Sequence, residues 1–355
     1  MASAKAVNVT DVARRAGVST ATVSRALNAP GRVSPDKRER VMKAVGELRY
    51  SPNAAARSLR QASARKILVT VPNIANPFFS KIIRAIEEEA HHHGYAILLG
   101  DTRYNVDGEE QYAAMLMSRE ADGLIFLGHR LPDAVKPLIN RLKARAPVVN
   151  GCEFDPGLGV PSAHIDNAAA AAEAMDHLYA LGHRRIGILA GPTTGPLCRD
   201  RLAGAMRSVR DHGGAAPAIS HGDFSMEWGI DGAAEMLDLV ERPTALLCLS
   251  DEIAIGAMHA LRLRGIRCPE DMSVVGFDDI TVAQYLNPSL TTVRQPMEEI
   301  GRATVQLLLT ILRGDGSCQD SLTFAHQLVV RESTAPLNAD IQICKNVSSV
   351  RKRPL

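Results

Sequence analysis

The chain has 355 residues, 46% of them hydrophobic, and 41 Lys and Arg against 39 Asp and Glu. That length exceeds one typical domain and can bury sizeable cores without disulfides. No run approaches the ~20 uninterrupted apolar residues of a membrane span, and MASAKAVN at the start lacks the apolar run of an export signal, so a cytoplasmic chain with no membrane partner is expected.

The near-neutral total hides an asymmetry. Through Lys66 there are fourteen basic residues and four acidic ones, whereas the remainder holds 27 basic and 35 acidic. A basic head on an acidic body is the electrostatic footprint of phosphate binding rather than of a bland helical bundle. The head reads as three helices. Thr10 is placed to cap a first helix starting at Asp11, Gly17 supplies a left-handed stop, and Ser19 caps a second helix. On that second helix Val23, Ala26 and Leu27 share a face that can pack on Val12, Ala13 and Ala16. Its other face carries Thr20, Ala21, Ser24 and Arg25, short or hydrogen-bonding side chains with one long cation. Such a face lets the helix approach base edges in a major groove, where Arg25 can grip guanine with its fork. Thr10, Ser19, Thr22 and Asn28 complete the set expected at the DNA. A third helix begins at Ser34-Pro35-Asp36 and turns Val41, Val45 and Leu48 inward.

After Tyr50, the segment SPNAAARSLR is different in kind. Asn53 can cap a short helix in which Ala56 allows close approach of a second copy, Leu59 can wedge between base pairs, and Arg57 and Arg60 can reach the backbone. An isolated helix below ~12 residues is marginal in water, so it needs an external support. The alternative is an ordinary linker, which Gln61 to Lys66 resembles.

From Ile67 onward, β-rich runs alternate with amphipathic ones, which predicts an α/β body with parallel sheets flanked by helices. Strands are expected at 67–71, 96–100, 123–127, 148–151, 163–166, 186–190, 245–249 and 274–277. They fall into two series with a break near Asp166, hence two doubly wound subdomains. Ligands in such folds sit beyond the carboxyl ends of strands. Phe78 and Phe79 follow the first strand, so an aromatic face for a base or sugar ring competes there with core packing. Arg201 follows the strand at 186–190, and either binds a ligand or is a surface helix cation.

The remaining conspicuous features read as structural. His91, His92 and His93 end a helix before Gly94, where cations suit the terminus. Glu87, Glu88 and Glu89 read as a solvated face. Six cysteines, at 152, 198, 248, 268, 318 and 344, show no metal or disulfide spacing. Gly157-Leu158-Gly159 lacks a dinucleotide context, and no nucleophile–base–orienter set or phosphate loop speaks for an enzyme. No cofactor or metal is expected. The tail, 338–355, is polar and basic and reads as disordered.

Taken together, the helix-turn-helix VTDVARRAGVSTATVSRALN, the SPNAAARSLR hinge, ILVTVPNIANPFFSKIIRAIEEEA, HIDN, GHRRIGILAG, RLAG and SVVGFDDI resemble the LacI/GalR family of bacterial transcriptional repressors, from Val9 to about Leu337. Within it, VPNIANPFFSKIIRAIE, FLGHRLP and GPTTGPLCRDRLAG look most like the cytidine repressor branch. The resemblance implies an N-terminal helix-turn-helix head (1–52), a hinge helix and linker (53–66), and a periplasmic-binding-protein-like core (67–337). It also implies three chain crossings near 165, 291 and 325, giving subdomains of 67–165 with 291–325 and 166–290 with 326–337. By residue-to-residue likeness, Phe79 is the ligand-stacking aromatic. Gly195 and Leu197 read the ligand's base or sugar edge, Arg201 and Asp278 hydrogen-bond it, and Phe224 touches a ring. Asp251 is a helix N-terminal residue near the cleft. Gly195 stands where purine binders carry a cation, which weakens a purine assignment. The implied function is a homodimeric repressor of near-palindromic operator DNA, controlled by a nucleoside such as cytidine. A sugar-responsive regulator, or a solute-binding protein without a regulatory role, are the alternatives. No C-terminal heptad repeat argues for a tetramer.

Overall fold

The computed structural model describes residues 7–50, 63–314 and 321–337. The chain forms two compact units divided between Ala64 and Arg65. The head unit contains α1 (Val9–Ala16), α2 (Thr20–Asn28) and α3 (Pro35–Glu47). Asn8, not Thr10, caps α1. Its side-chain oxygen accepts from the Thr10 and Asp11 amides at 2.9 and 3.2 Å, and the Asn8 amide donates to the Asp11 carboxylate at 3.1 Å. The earlier position wins because only there does the acid at the third helical residue close a reciprocal box. Gly17 ends α1 at φ 63°, and Ser19 caps α2 through the Thr22 amide. Val12, Ala13, Ala16, Val23, Ala26, Val41 and Ala44 are buried together, with Leu27, Val45 and Leu48 partly buried beside them. Ala44 thus takes the central place that the sequence pattern gives to Val45. Arg40 fastens α3 to the turn by donating to the Ala16 and Gly17 carbonyls at 2.6 and 3.0 Å.

The larger unit contains two six-stranded sheets. The first runs β11-β5-β4-β3-β1-β2, from β1 (Lys66–Val71), β2 (Ala96–Asp101), β3 (Gly123–Phe126), β4 (Val148–Gly151), β5 (Ser162–Ile165) and β11 (Ser321–Phe324). The second runs β12-β10-β9-β8-β6-β7, from β6 (Ile186–Ala190), β7 (Ala218–His221), β8 (Ala245–Cys248), β9 (Ser273–Asp278), β10 (Thr291–Arg294) and β12 (Gln327–Val329). All pairings are parallel except β10 with β12. Helices α4 (Pro77–His92), α5 (Val106–Met117), α6 (Lys136–Leu142), α7 (Asn167–Ala180), α8 (Pro196–Asp211), α9 (Met226–Asp238), α10 (Asp251–Leu263) and α11 (Met297–Arg313) alternate with the strands. Continuous apolar runs such as Ile186–Ala190 are buried over their whole length, as central parallel strands must be.

The chain passes between the sheets after Ile165, after Arg294 and after Phe324. The second passage, expected near 291, falls after Arg294 because Thr291–Arg294 pair with β9 and β12 of the second sheet. Buried Thr291 and Thr292 make this a strand because their hydroxyls are partnered, by Thr334 at 3.1 Å and Asp251 at 2.6 Å. Helix pairs cross at glycines, as α4 and α11 do at Gly301, where a Cβ would run into the Ile82 carbonyl. A Cβ on Gly204 of α8 would run into the Ala168 carbonyl of α7, and one on Gly256 of α10 would run into the Met226 carbonyl of α9. Glu89 is not a solvated residue, since Gln306 of α11 and His93 each reach its carboxylate at 3.2 Å.

Candidate functional site

Between the two sheets lies a cavity open to solvent, with about 400 Å³ of empty space when its open mouth is included. Its lining follows the carboxyl ends of strands from both sheets: Asn76, Phe78 and Phe79 after β1, Tyr104 after β2, Cys152 and Glu153 after β4, Leu197 and Arg201 after β6, Phe224 after β7, Ser250 after β8 and Asp278 at the end of β9. This is the crevice position that open α/β sheets offer to ligands. Six of the eight residues expected at a ligand come together here: Phe78, Phe79, Leu197, Arg201, Phe224 and Asp278.

Each is placed by local structure. Asn76 accepts from the Phe78 amide at 2.8 Å and starts α4 with Pro77 at its first position, so both phenylalanines leave a helix rather than an extended loop. Their rings meet edge to face with centroids 5.1 Å apart, both buried, and both serve the core and the cavity wall at once. Phe224 covers Gly191, where a Cβ would run into the ring.

Arg201 is 2% exposed, which removes the surface-cation reading. Its Nε donates to Asn167 Oδ1 at 2.9 Å, Nη1 to the Leu249 carbonyl at 2.6 Å and Nη2 to Asp278 Oδ1 at 3.4 Å. The guanidinium also lies 3.6 Å from the centroid of the Phe277 ring. Gln295 Nε2 donates to the same Asp278 oxygen at 2.7 Å. Burial works against both charges: it lowers the Arg201 pKa, which the Asp278 charge raises, and raises that of Asp278, which Arg201 lowers. Because an arginine starts far above neutrality, the cation persists and the carboxylate is the softer partner. Asp278 and Asp279 adopt φ of 123° and 56°, a strained turn held from outside. Arg294 and Arg331 donate to Asp279 at 2.6 and 2.7 Å. Burial alone would raise the Asp279 pKa, and these two hydrogen bonds outweigh it and hold the pKa down.

Two expected contacts differ. Asp251 begins α10 fully buried, but its carboxylate accepts from the Thr292 hydroxyl at 2.6 Å and the Ile280 amide at 2.8 Å, so it ties β10 to the loop after β9 instead of lining the cavity. Gly195 caps α8 with its backbone and does not line the cavity either. Asn76, Tyr104, Cys152, Glu153 and Ser250 are not among the residues that the sequence singles out; each follows the carboxyl end of a strand, and that position is the signal that could find them.

In the head, Thr10, Ser19, Thr20, Ala21 and Arg25 are exposed, whereas Thr22 and Ser24 are half-buried. The Ser19 and Thr22 hydroxyls lie 2.9 Å apart. The side chain of Asn28, and all of Asn53, Ala56, Arg57, Leu59, Arg60 and the tail from 338, lie outside the described residues. Among the described residues, no group of three His, Cys, Asp or Glu could hold a metal ion, and no helix is long and apolar enough to cross a membrane.

Comparison with known proteins agrees with this geometry. The family model for bacterial regulatory proteins of the lacI family matches residues 8–53, and one for a periplasmic binding protein-like domain matches 175–334. The HTH-type transcriptional repressor CytR of Escherichia coli (strain K12) is 42% identical over 334 residues, covering 94% of this chain and 97% of its own. The HTH-type transcriptional repressor PurR of Photobacterium profundum is 32% identical over 333 residues, covering 93% and 99%. The crystal structure of the Lac repressor dimer bound to operator and the anti-inducer ONPF superposes with a TM-score of 0.82 at 30% identity, covering 93% and 100%. With its helix-turn-helix head and two-sheet core, and its 42% identity to CytR, the chain belongs to the LacI family and is a DNA-binding transcriptional repressor.

Proposed function

We propose that a nucleoside, cytidine foremost, binds in the cavity and that its occupancy sets the affinity of a homodimer for near-palindromic operator DNA. The observation that carries this reading is the pairing of polar and apolar walls: the buried Arg201–Asp278 pair beside Phe78, Phe79 and Phe224. A guanidinium and a carboxylate side by side can donate to and accept from vicinal hydroxyls, while aromatic faces take a flat base. Residues of both sheets line the cavity, so a ligand held by both favours one mutual arrangement of the two, by its differential affinity for that arrangement and no more. The segment 53–60 joins the core to the head along the chain and is the route by which that arrangement would reach the DNA. At the DNA, Thr20, Ala21 and Arg25 of α2 are the base readers.

Calorimetric titration with cytidine, uridine, adenosine, ribose and cytidine monophosphate tests the ligand class. Cytidine should give a saturable heat. The monophosphate should bind at least about tenfold more weakly, because Asp278 and Glu153 bring two carboxylates to a cavity whose one arginine is already paired. Heat from ribose with silence from every nucleoside would replace the nucleoside reading by a sugar one.

A further inference from the structure

Glu153 is a built feature of the cavity that the pairing of Arg201 and Asp278 does not use. It leaves the end of β4 through a fixed turn. Cys152 adopts φ 73°, its amide donates to the Ala163 carbonyl at 2.9 Å, and the Glu153 amide donates to the Gly151 carbonyl at 2.9 Å. A cysteine with positive φ is held by its surroundings against its own preference, so the direction of the next side chain is set by the sheet. That side chain is 12% exposed and lines the cavity.

Its partner is His129, whose Nδ1 lies 3.4 Å from Glu153 Oε2. The segment carrying His129 is fastened in turn by Asn150, whose amide nitrogen donates to the Gly128 and Phe126 carbonyls at 2.9 and 3.1 Å. The hydrogen bond to Glu153 raises the His129 pKa, against the opposing effect of burial. An ionised carboxylate has about four acceptor sites, and one long contact to an imidazole uses one of them. Arg201 directs three of its donors to Asn167, Leu249 and Asp278 and acts on Glu153 as a nearby charge. A ligand that closes over Glu153 and brings it a donor therefore meets an acceptor with sites to spare, whereas one that brings none takes water from a charged group.

On the reading that the ligand is a nucleoside, the geometry points to Glu153 as the specificity-determining residue, whose carboxylate accepts from the exocyclic amino group of the base. The division of the cavity supports the base over the sugar. The hydroxyl-matching pair Arg201–Asp278 belongs to the second sheet, whereas Glu153 belongs to the first, with the Phe78 and Phe79 rings on which a base would stack. An amino-bearing pyrimidine gives the carboxylate a donor. Its oxo counterpart presents a carbonyl dipole to a negative charge, and is rejected for that reason.

The test is calorimetry of the full chain and Glu153→Gln with cytidine, uridine and deoxycytidine. The unaltered protein should prefer cytidine to uridine by roughly 10- to 100-fold, the scale of one charged hydrogen bond. In Glu153→Gln the two should come within about threefold, since an amide can donate as well as accept. Glu153→Asp, which keeps the charge and withdraws it, should lose affinity for cytidine more than for uridine, and serves if the glutamine variant does not fold. An unchanged preference in Glu153→Gln overturns the proposal while leaving the nucleoside reading in place. So does a variant that keeps the preference over uridine and loses that between cytidine and deoxycytidine, which would put Glu153 on the sugar. Silence from every nucleoside in the unaltered protein overturns both.

Discussion

Arg25→Ala should abolish discrimination between the operator and unrelated DNA while leaving the head folded. The side chain is exposed in the last turn of α2, and none of the packed residues Val12, Ala13, Ala16, Val23, Ala26, Val41 and Ala44 is touched by removing it. A bidentate arginine–guanine contact is worth roughly 1–3 kcal/mol of discrimination, and a dimer loses it at each half-site. Nonspecific affinity should fall far less, by the share of one phosphate-screening cation. Fluorescence anisotropy with a selected operator and a scrambled duplex measures both. An unchanged affinity ratio would remove Arg25 from base reading and move the readout to Thr20, Ala21 and the bending of the DNA.

The second large effect is expected at Arg201. Arg201→Ala would take the donor from Asn167 Oδ1 and the Leu249 carbonyl and leave the buried Asp278 carboxylate with Gln295 but without its countercharge. Removing one member of a buried ion pair typically costs roughly 3–5 kcal/mol, so the urea midpoint should fall markedly and ligand heats should vanish together. The pair Arg201→Met with Asp278→Asn separates the two roles. Replacing both charges should recover much of the stability, because the uncompensated charge is gone, yet no ligand heat should return. A variant that regained ligand binding along with stability would show that the pair is architecture and the ligand is held elsewhere.

Much of this was legible in the sequence because the relevant physics is local. Gly17 and Ser19 announce a helix stop and start by backbone chemistry alone. The apolar runs at 67–71 and 186–190 can only be central strands. β7, β11 and β12 leave little mark in the sequence because they are short and half-exposed at sheet edges or in an antiparallel add-on, with no apolar run. β10 was hidden for a different reason: Thr291 and Thr292 look like loop residues until the hydroxyl partners, Thr334 and Asp251, arrive from distant parts of the chain. The site followed the same division. Arg201 and Asp278 carry their role in residue type and position after a strand. Asp251, equally acidic and equally close to a strand end, is spent inside the second sheet, and only the tertiary structure tells the two carboxylates apart. Glu153 is the opposite case, a residue with no motif around it that the fold turns into the cavity.

In the proposed mechanism the cavity and the operator are coupled through one chain. Titrating cytidine into the full-length protein bound to its operator, with anisotropy as the readout, addresses it directly. Operator affinity should change saturably, commonly by about 5- to 150-fold for coupled sites. Its midpoint should match the calorimetric Kd corrected for that coupling, and the change should be absent in Arg201→Met with Asp278→Asn. Cytidine that binds with measurable heat and leaves operator affinity unchanged would contradict it.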